Sequence, residues 1–278
     1  MNAGDLDAVV NYVDRAQIGP EGLAFAFDHT WSGIPLDRRV VRVTDATSLE
    51  HPPTLEKNGF ETLRIECPEI GSLALAEIEN HWVPAVRQRL LEQTGADEVA
   101  CWAFSMRFSE AKVDAPRNDV SNPARRVHSD FSPAEFGDAI RHSLTIAEIG
   151  RLARGRRLKR WIGLNAWQAF SPPPYDTPLI VCDKTSVTLD DLVTGTGSAP
   201  SMPEFKLELP LYSYSAAHRW YYYPQMAPDE ALVFLGIDSA ERGRWRLVPH
   251  TAVDNPLSPP GAPPRCSVEM RTMALFFD

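Results

Sequence analysis

The sequence predicts a mainly β protein with flanking helices, its second half an antiparallel sandwich or open barrel. Three observations carry this reading. Beyond residue 155 the chain holds six runs rich in Val, Ile, Phe, Trp and Tyr, namely LKRWIGLNAWQAF, PLIVCD, HRWYYYP, EALVFLGIDS, RWRLVPHTAV and SVEMRTMALFF. No long helical pattern separates them, so nothing supplies the crossovers of a parallel sheet and the strands pair antiparallel. The 24 prolines cluster at Pro172 to Pro174 and Pro256 to Pro264, between the runs, where they punctuate loops.

The earlier elements follow in order. To about residue 66 the chain reads as short strands, AFAFD, RRVVRV and FETLRIE, divided by turns. From Ser72 to Gln93, Leu73, Leu75, Ile78, Trp82, Val86 and Leu90 recur at helical spacing, with Gly95 where a C-cap glycine stands. Pro84 interrupts that pattern, so a kinked helix or two short ones are expected. VACWAFSMRF reads as a strand at 99–108. Ser132, Pro133 and Glu135 form a capping box that starts a helix running to about Arg154. Both helices precede the strand-rich half and are placed to cover one face of it.

Composition narrows the function. With 44% apolar and 23% charged residues the chain buries a real core, which excludes disordered and fibrous classes. Lys and Arg number 28 against 37 for Asp and Glu, a net charge of −9 that repels phosphate backbones and disfavours nucleic acid and membrane surfaces. No basic leader with an apolar block opens the sequence, and no uncharged apolar run reaches membrane-spanning length, so a cytoplasmic protein is expected. Cys67, Cys101, Cys182 and Cys266 lie far apart without a CxxC pair and are expected to be small buried hydrophobes.

Two of the seven histidines stand out. His128 lies in RRVHSDFSP with Asp130 two residues on, and residues i and i+2 of an extended segment share a face. His250 ends the strand-like RWRLVPH, 250 − 128 = 122 residues later, near enough across a jelly roll to meet them. Two imidazoles and a carboxylate are the ligand set of the facial triad that holds non-haem Fe(II) and leaves positions for oxidant and substrate. Arg265 and Ser267 share a face of the last strand and offer a fork and a hydroxyl to a dicarboxylate cosubstrate, where the plainer alternative is a surface ion pair. Asn165 and Trp167 share a face of RWIGLNAW, so the Asn165 amide is placed either to donate to a carboxylate or to satisfy a sheet edge. Phe104, Arg107, Trp167 and Tyr222 are the candidates for a substrate wall.

VHSDFSP, RWIGLNAW, PLIVCDKTSV, WYYYPQM with DEALVFLGIDS, PHTAVDNP and RCSVEMR together resemble the gibberellin-desaturase-like and cephem-methoxylase-related proteins, non-haem iron oxygenases of secondary metabolism. The resemblance runs from about residue 20 onward. It implies a double-stranded β-helix (jelly roll) and Fe(II) held by His128, Asp130 and His250. It further implies 2-oxoglutarate anchored near Arg265 and Ser267, with dioxygen oxidising a small metabolite by hydroxylation, desaturation or ring formation. A single oxygenase-like domain is then expected over 1–278, with N-terminal strands and helices (about 1–96) packed on a jelly-roll core (about 97–278). The stretch from His250 to Arg265 is 15 residues and Pro-rich, longer than iron oxygenases usually have, which keeps Arg271 as a competing anchor. Two other classes remain open: a zinc hydrolase on the same three ligands, and a metal-free jelly-roll binding protein.

Overall fold

The structure, a computed structural model, describes residues 4–26, 31–67, 75–109, 120–132, 146–199, 202–241 and 245–278. Its main layer is a six-stranded sheet of β4 (Phe60–Arg64), β12 (Glu230–Asp238), β7 (Leu158–Ala169), β14 (Cys266–Phe277), β5 (Glu98–Phe108) and β6 (Val120–Ser121), in that order. Opposite it lies a five-stranded sheet of β1 (Leu6–Val13), β3 (Leu36–Asp45), β11 (Trp220–Tyr222), β8 (Leu179–Cys182) and β13 (His250–Ala252). A third segment orders β10 (Met202–Tyr212), β9 (Leu192–Ala199) and β2 (Leu23–Ala26). Ring contacts between Phe60 and Tyr221 and between Phe234 and His250 join the six-stranded sheet to its partner face to face. The result is the expected jelly roll.

Strand pairing follows the sequence reading in the second half, where β7, β8, β9, β10, β12, β13 and β14 pair with one another antiparallel. The parallel contacts, β3 with β11, β2 with β9 and β5 with β6, each recruit a strand from the first half. Four strands had no counterpart in the sequence reading: β1, β6, β9 and β10. Pro203 and Pro210 argue against a strand, yet β10 tolerates them as the outer strand of its segment, where a missing N–H costs least. RWRLVPHTAV shrinks to the three residues of β13.

Helix α1 (Leu75–Thr94) covers the outer face of the six-stranded sheet. Ile78, Trp82, Val86 and Leu90 are each at most 1% exposed, one apolar stripe repeating every fourth residue. Trp82 donates from Nε1 to Gln168 Oε1 of β7 at 2.6 Å and its ring meets Phe104 of β5. Of the two expectations at Pro84, a kinked helix or two short ones, the division into two does not occur. Pro84 and Asn80 both lie on the exposed side, so the Asn80 carbonyl deprived of its hydrogen bond faces water and one helix persists. Gly95 adopts φ 66°, and its N–H closes on the Leu91 carbonyl as the C-cap.

The capping box at Ser132 and Glu135 falls largely outside the described residues; helix α2 (Ile146–Ala153) ends where expected, with Arg154 and Gly155 in left-handed conformations. Cys67 and Cys182 are buried, whereas Cys101 and Cys266 are only half-buried, and all four are free thiols. Among the described residues no helix is long and apolar enough to cross a membrane.

Candidate active site

Backbone pairing brings the three candidate ligands together. His128 forms isolated antiparallel bridges to His250 of β13 on one side and to Leu211 of β10 on the other, so one residue stitches the five-stranded sheet to the three-stranded segment. Its N–H donates to the His250 carbonyl at 3.2 Å and the reciprocal bond is 2.9 Å. Paired residues of a narrow antiparallel ladder put their side chains on one side, and the two ring centroids lie 4.3 Å apart. Asp130, two residues beyond His128, places Oδ1 4.0 Å from His128 Nε2 and Oδ2 3.4 Å from His250 Nε2. One donor atom from each residue fits within 4.8 Å of the others.

The tautomers are set by the backbone. His128 Nδ1 lies 2.7 Å from the Arg126 carbonyl and His250 Nδ1 lies 3.2 Å from the Val248 carbonyl, so in each ring Nδ1 donates and Nε2 keeps a lone pair. Two lone pairs and a carboxylate then face one another, an arrangement of acceptors that a cation completes. Burial, followed by the neighbouring His250, pushes the His128 imidazole down to about 3, so it is neutral at pH 7 as a ligand must be. Burial would raise the Asp130 carboxyl, but the neighbouring Arg271 guanidinium outweighs it and holds it well below the usual carboxylate range. Arg271 donates from Nη2 to Oδ1, which leaves Oδ2 as the oxygen nearest His250.

The inner face of β14 continues the site. Arg265, just before the strand, then Ser267, Glu269 and Arg271 alternate toward the triad. Arg265 is 1% exposed, its guanidinium lies over the Trp167 ring at 5.4 Å, and its Nε and Nη1 have no hydrogen-bond partner. Burial pushes its guanidinium down to about 10. Ser267 Oγ and Asn165 Nδ2, both buried, likewise lack partners, and Asn165 sits opposite Arg271 in the β7–β14 register. Orphaned buried donors are rare and costly, so this set fits a carboxylate-bearing guest. A cleft lined by His128, His250, Trp167, Leu179, Arg107, Glu269 and Arg265 connects the triad to the guanidinium.

The family model described as oxidoreductase/YMDC permease-like domain matches residues 11–275. The chain belongs to this oxidoreductase family. The alpha-ketoglutarate-dependent dioxygenase phiK of a fungal species is 28% identical over 247 residues, covering 87% of this chain and 85% of its own. The hydroxylase/desaturase efuI of Hormonema carpetanum is 28% identical over 257 residues, covering 86% and 84%. The solved iron and alpha-ketoglutarate-dependent endoperoxidase NvfI shares the fold with a TM-score of 0.80 at 23% identity, over 99% of each chain. The oxygenase and desaturase parts of the resemblance read from the sequence agree with these names; the cephem-methoxylase part has no counterpart in them.

Within this oxidoreductase, the remaining expected residues divide. Trp167 is buried in the cleft, edge-on to Tyr175. Arg107 also lines it, with its guanidinium on Glu269. Phe104 and Tyr222 are not brought to the triad. Phe104 points from the opposite face of β5 to Trp82, because it is one residue out of phase with Ser105 and Arg107. Tyr222 packs in a cluster with Leu6, Val43 and Trp220 and donates its hydroxyl to the Gly4 carbonyl.

Three neighbours went unseen in the sequence. Trp31, a non-glycine residue at φ 51°, sets its ring edge-on to His128 at 5.0 Å, and Phe234 packs against His250 at 4.7 Å. Glu269 sits between Arg107 and Arg271, held below the usual carboxylate range although its burial works the other way. Its alternation with Ser267 and Arg271 was the available signal.

Proposed function

We propose that the chain is an Fe(II)- and 2-oxoglutarate-dependent oxygenase that uses dioxygen to oxidise a small secondary metabolite by hydroxylation, desaturation or ring formation. One observation carries it: His128, Asp130 and His250 converge, and the two imidazoles open onto the same cleft as the buried Arg265, whose Nε and Nη1 lack partners. His128, Asp130 and His250 would hold the metal through two Nε2 atoms and a carboxylate. When bound, iron with 2-oxoglutarate supplies the means to activate dioxygen for oxidation of an unactivated C–H bond.

The chain's own residues do the rest. The Arg126 and Val248 carbonyls fix the ring orientations, and Arg271 steers the Asp130 carboxylate. Arg265 is the anchor for the distal carboxylate, since its Nε and Nη1 are both unspent, whereas Arg271 already gives Nη2 to Asp130 and keeps only Nε without a partner. Ser267 and Asn165 add their free donors. Trp167 and Leu179 exclude water along the cleft, and Trp31 and Phe234 shield the imidazoles. We read the chain as one catalytic domain, with a metal ligand from the five-stranded sheet and the cosubstrate's donors from the six-stranded one.

The zinc-hydrolase reading needs a general base beside the metal. Glu269 is the acid in the cleft, but Arg107 makes it a poor proton acceptor near pH 7. Anaerobic loading with Fe(II) and 2-oxoglutarate tests the assignment. The expected result is one iron per chain, a visible metal-to-cosubstrate absorption band that requires both, and succinate release on admitting oxygen. Failure to bind iron, or a band that forms without the cosubstrate, overturns it.

A further inference from the structure

Two arginines flank the place assigned to the cosubstrate's distal carboxylate, and they are treated oppositely. Arg265 keeps Nε and Nη1 without partners. Arg107 stands directly across from Ser267 in the β5–β14 register, so its Cβ lies within about 5.5 Å of the Cβ that carries the orphaned hydroxyl. Yet its guanidinium leans two residues along the partner strand: Nε donates to Glu269 Oε1 at 3.0 Å, Nη2 donates to the same oxygen, and Nη1 donates to the Asn122 carbonyl at 3.3 Å. Ser105 Oγ also donates to Glu269 Oε1, at 3.2 Å, which pins the carboxylate in place. An acid lining a pocket for a dianion repels that guest, so stabilising the guest is not its use. Holding Arg107 is.

We propose that Glu269 masks Arg107, leaving Arg265 as the single cation that reads the distal carboxylate and thereby setting the length of 2-oxo diacid the site accepts. This rests on the oxygenase reading above. The geometry gives the direction. Along β14 the order from the far end to the triad is Arg265, Ser267, Glu269, Arg271, and Arg107 stands level with Ser267, two residues nearer the triad than Arg265. An unmasked Arg107 therefore offers its guanidinium to a carboxylate nearer the metal than the one Arg265 reads. The four-carbon 2-oxo diacid, oxaloacetate, gains most from it, and five-carbon 2-oxoglutarate least.

The test is an anaerobic titration of Mn(II)-loaded chain with freshly prepared oxaloacetate and with 2-oxoglutarate, read as the ratio of the two Kd values. Glu269→Gln keeps the volume and removes the negative charge that holds the guanidinium, leaving only a neutral acceptor, and the ratio is expected to move toward oxaloacetate by about 10-fold or more, the loss or gain of one charge-assisted hydrogen bond. The double variant Arg107→Gln, Glu269→Gln removes the masked cation with its mask, and is expected to return to within about 3-fold of the wild-type ratio. An unchanged ratio in Glu269→Gln, or a relaxed ratio that persists in the double variant, overturns the proposal. Should Glu269→Gln lose its thermal transition, the charge-balanced double variant still decides: loss of 2-oxoglutarate binding there makes Arg107 an anchor in its own right. A wild-type chain that binds no 2-oxoglutarate refutes the oxygenase reading instead.

Discussion

The inner face of β14 is one strand face with two natures. Toward the C-terminus Met273, Leu275 and Phe277 are 0%, 0% and 9% exposed and pack with Trp161, Phe131 and Ile237. Toward the N-terminus Ser267 is just as enclosed, at 0%, but its hydroxyl has no partner, and Arg265 beside it leaves two N–H groups unmet. Equal burial therefore has opposite energetic sign along one strand. The apolar half stabilises the fold by roughly 25 cal/mol per Å² removed from water, while each unmet donor costs about 1 to 3 kcal/mol. That contrast is why the polar half is proposed as the site.

The sharpest way to break the comparison is to act on the polar side alone. His250→Ala removes one of the three acceptors but keeps the backbone bridge to His128 that ties the sheets. Metal affinity is expected to fall by more than about 100-fold, beyond the effect of losing a supporting residue, with the melting temperature of the metal-free chain nearly unchanged. Anaerobic metal titration beside a thermal melt reads both. A large loss of melting temperature would mean that His250 is core.

The converse change is Leu275→Ala on the apolar half. A buried leucine truncated to alanine costs about 2 to 5 kcal/mol, which for a chain of this size lowers the melting temperature by roughly 5 to 15 °C. Below that transition the variant is expected to bind metal at full stoichiometry. Lost stoichiometry in the folded variant would show that the two halves are coupled.

This division explains what was legible. Val, Ile, Leu, Phe and Trp runs announce strands because burial and β propensity agree, so β5, β7, β12 and β14 were readable, as was the stripe of α1. The HxD pair and His250 were readable because metal chemistry restricts the residue types. Ser267, Glu269 and Arg271 alternate like a solvent-facing row, and a sequence carries no mark that says which face is wet; Glu269 was missed on that account. Phe104 was misplaced for the mirror reason, since its apolar ring suits either side of a strand and only the register with Ser105 decides. The β9–β10 hairpin hid behind Gly and Thr in β9, a strand held between β10 and β2, and behind Pro in the outer strand β10.

Between the two halves in size of effect stands Arg265. Arg265→Met keeps the stem against Trp167 and deletes the charge. In the absence of cosubstrate its melting temperature is expected to equal or exceed that of the wild type, because an unpaired buried cation is gone. Affinity for 2-oxoglutarate is expected to fall by about 10-fold to more than 100-fold while metal affinity holds, and Lys is expected to restore only part, lacking the planar fork. Arg271→Met should behave oppositely, lowering the melting temperature by stripping Asp130 of its donor. If Arg271→Met instead loses the cosubstrate and Arg265→Met keeps it, the anchor is Arg271.

The smallest expected effect is a pH dependence that belongs to the polar side. His128 has a folded value of about 3, below the 6.5 of an unperturbed histidine, because burial and then His250 oppose its charge. Between those two values the unfolded chain binds a proton that the folded chain refuses, so stability from this residue is present above about pH 6.5 and is lost as the pH falls. At about 1.4 kcal/mol per pH unit, lowering the pH from 6.5 to 5 costs about 2 kcal/mol, a result that needs only a folded value below about 4. Asp130 adds nothing in that window, since its carboxyl is held low and stays ionised until the pH falls below the ordinary carboxylate value. Urea melts of chelator-treated wild type and His128→Gln, run at pH 7 and pH 5, isolate the term as the difference between their slopes. Identical acid losses would place the titrating group elsewhere in the molecule; a loss confined to the wild type assigns it to the ring whose proton-free Nε2 faces Asp130.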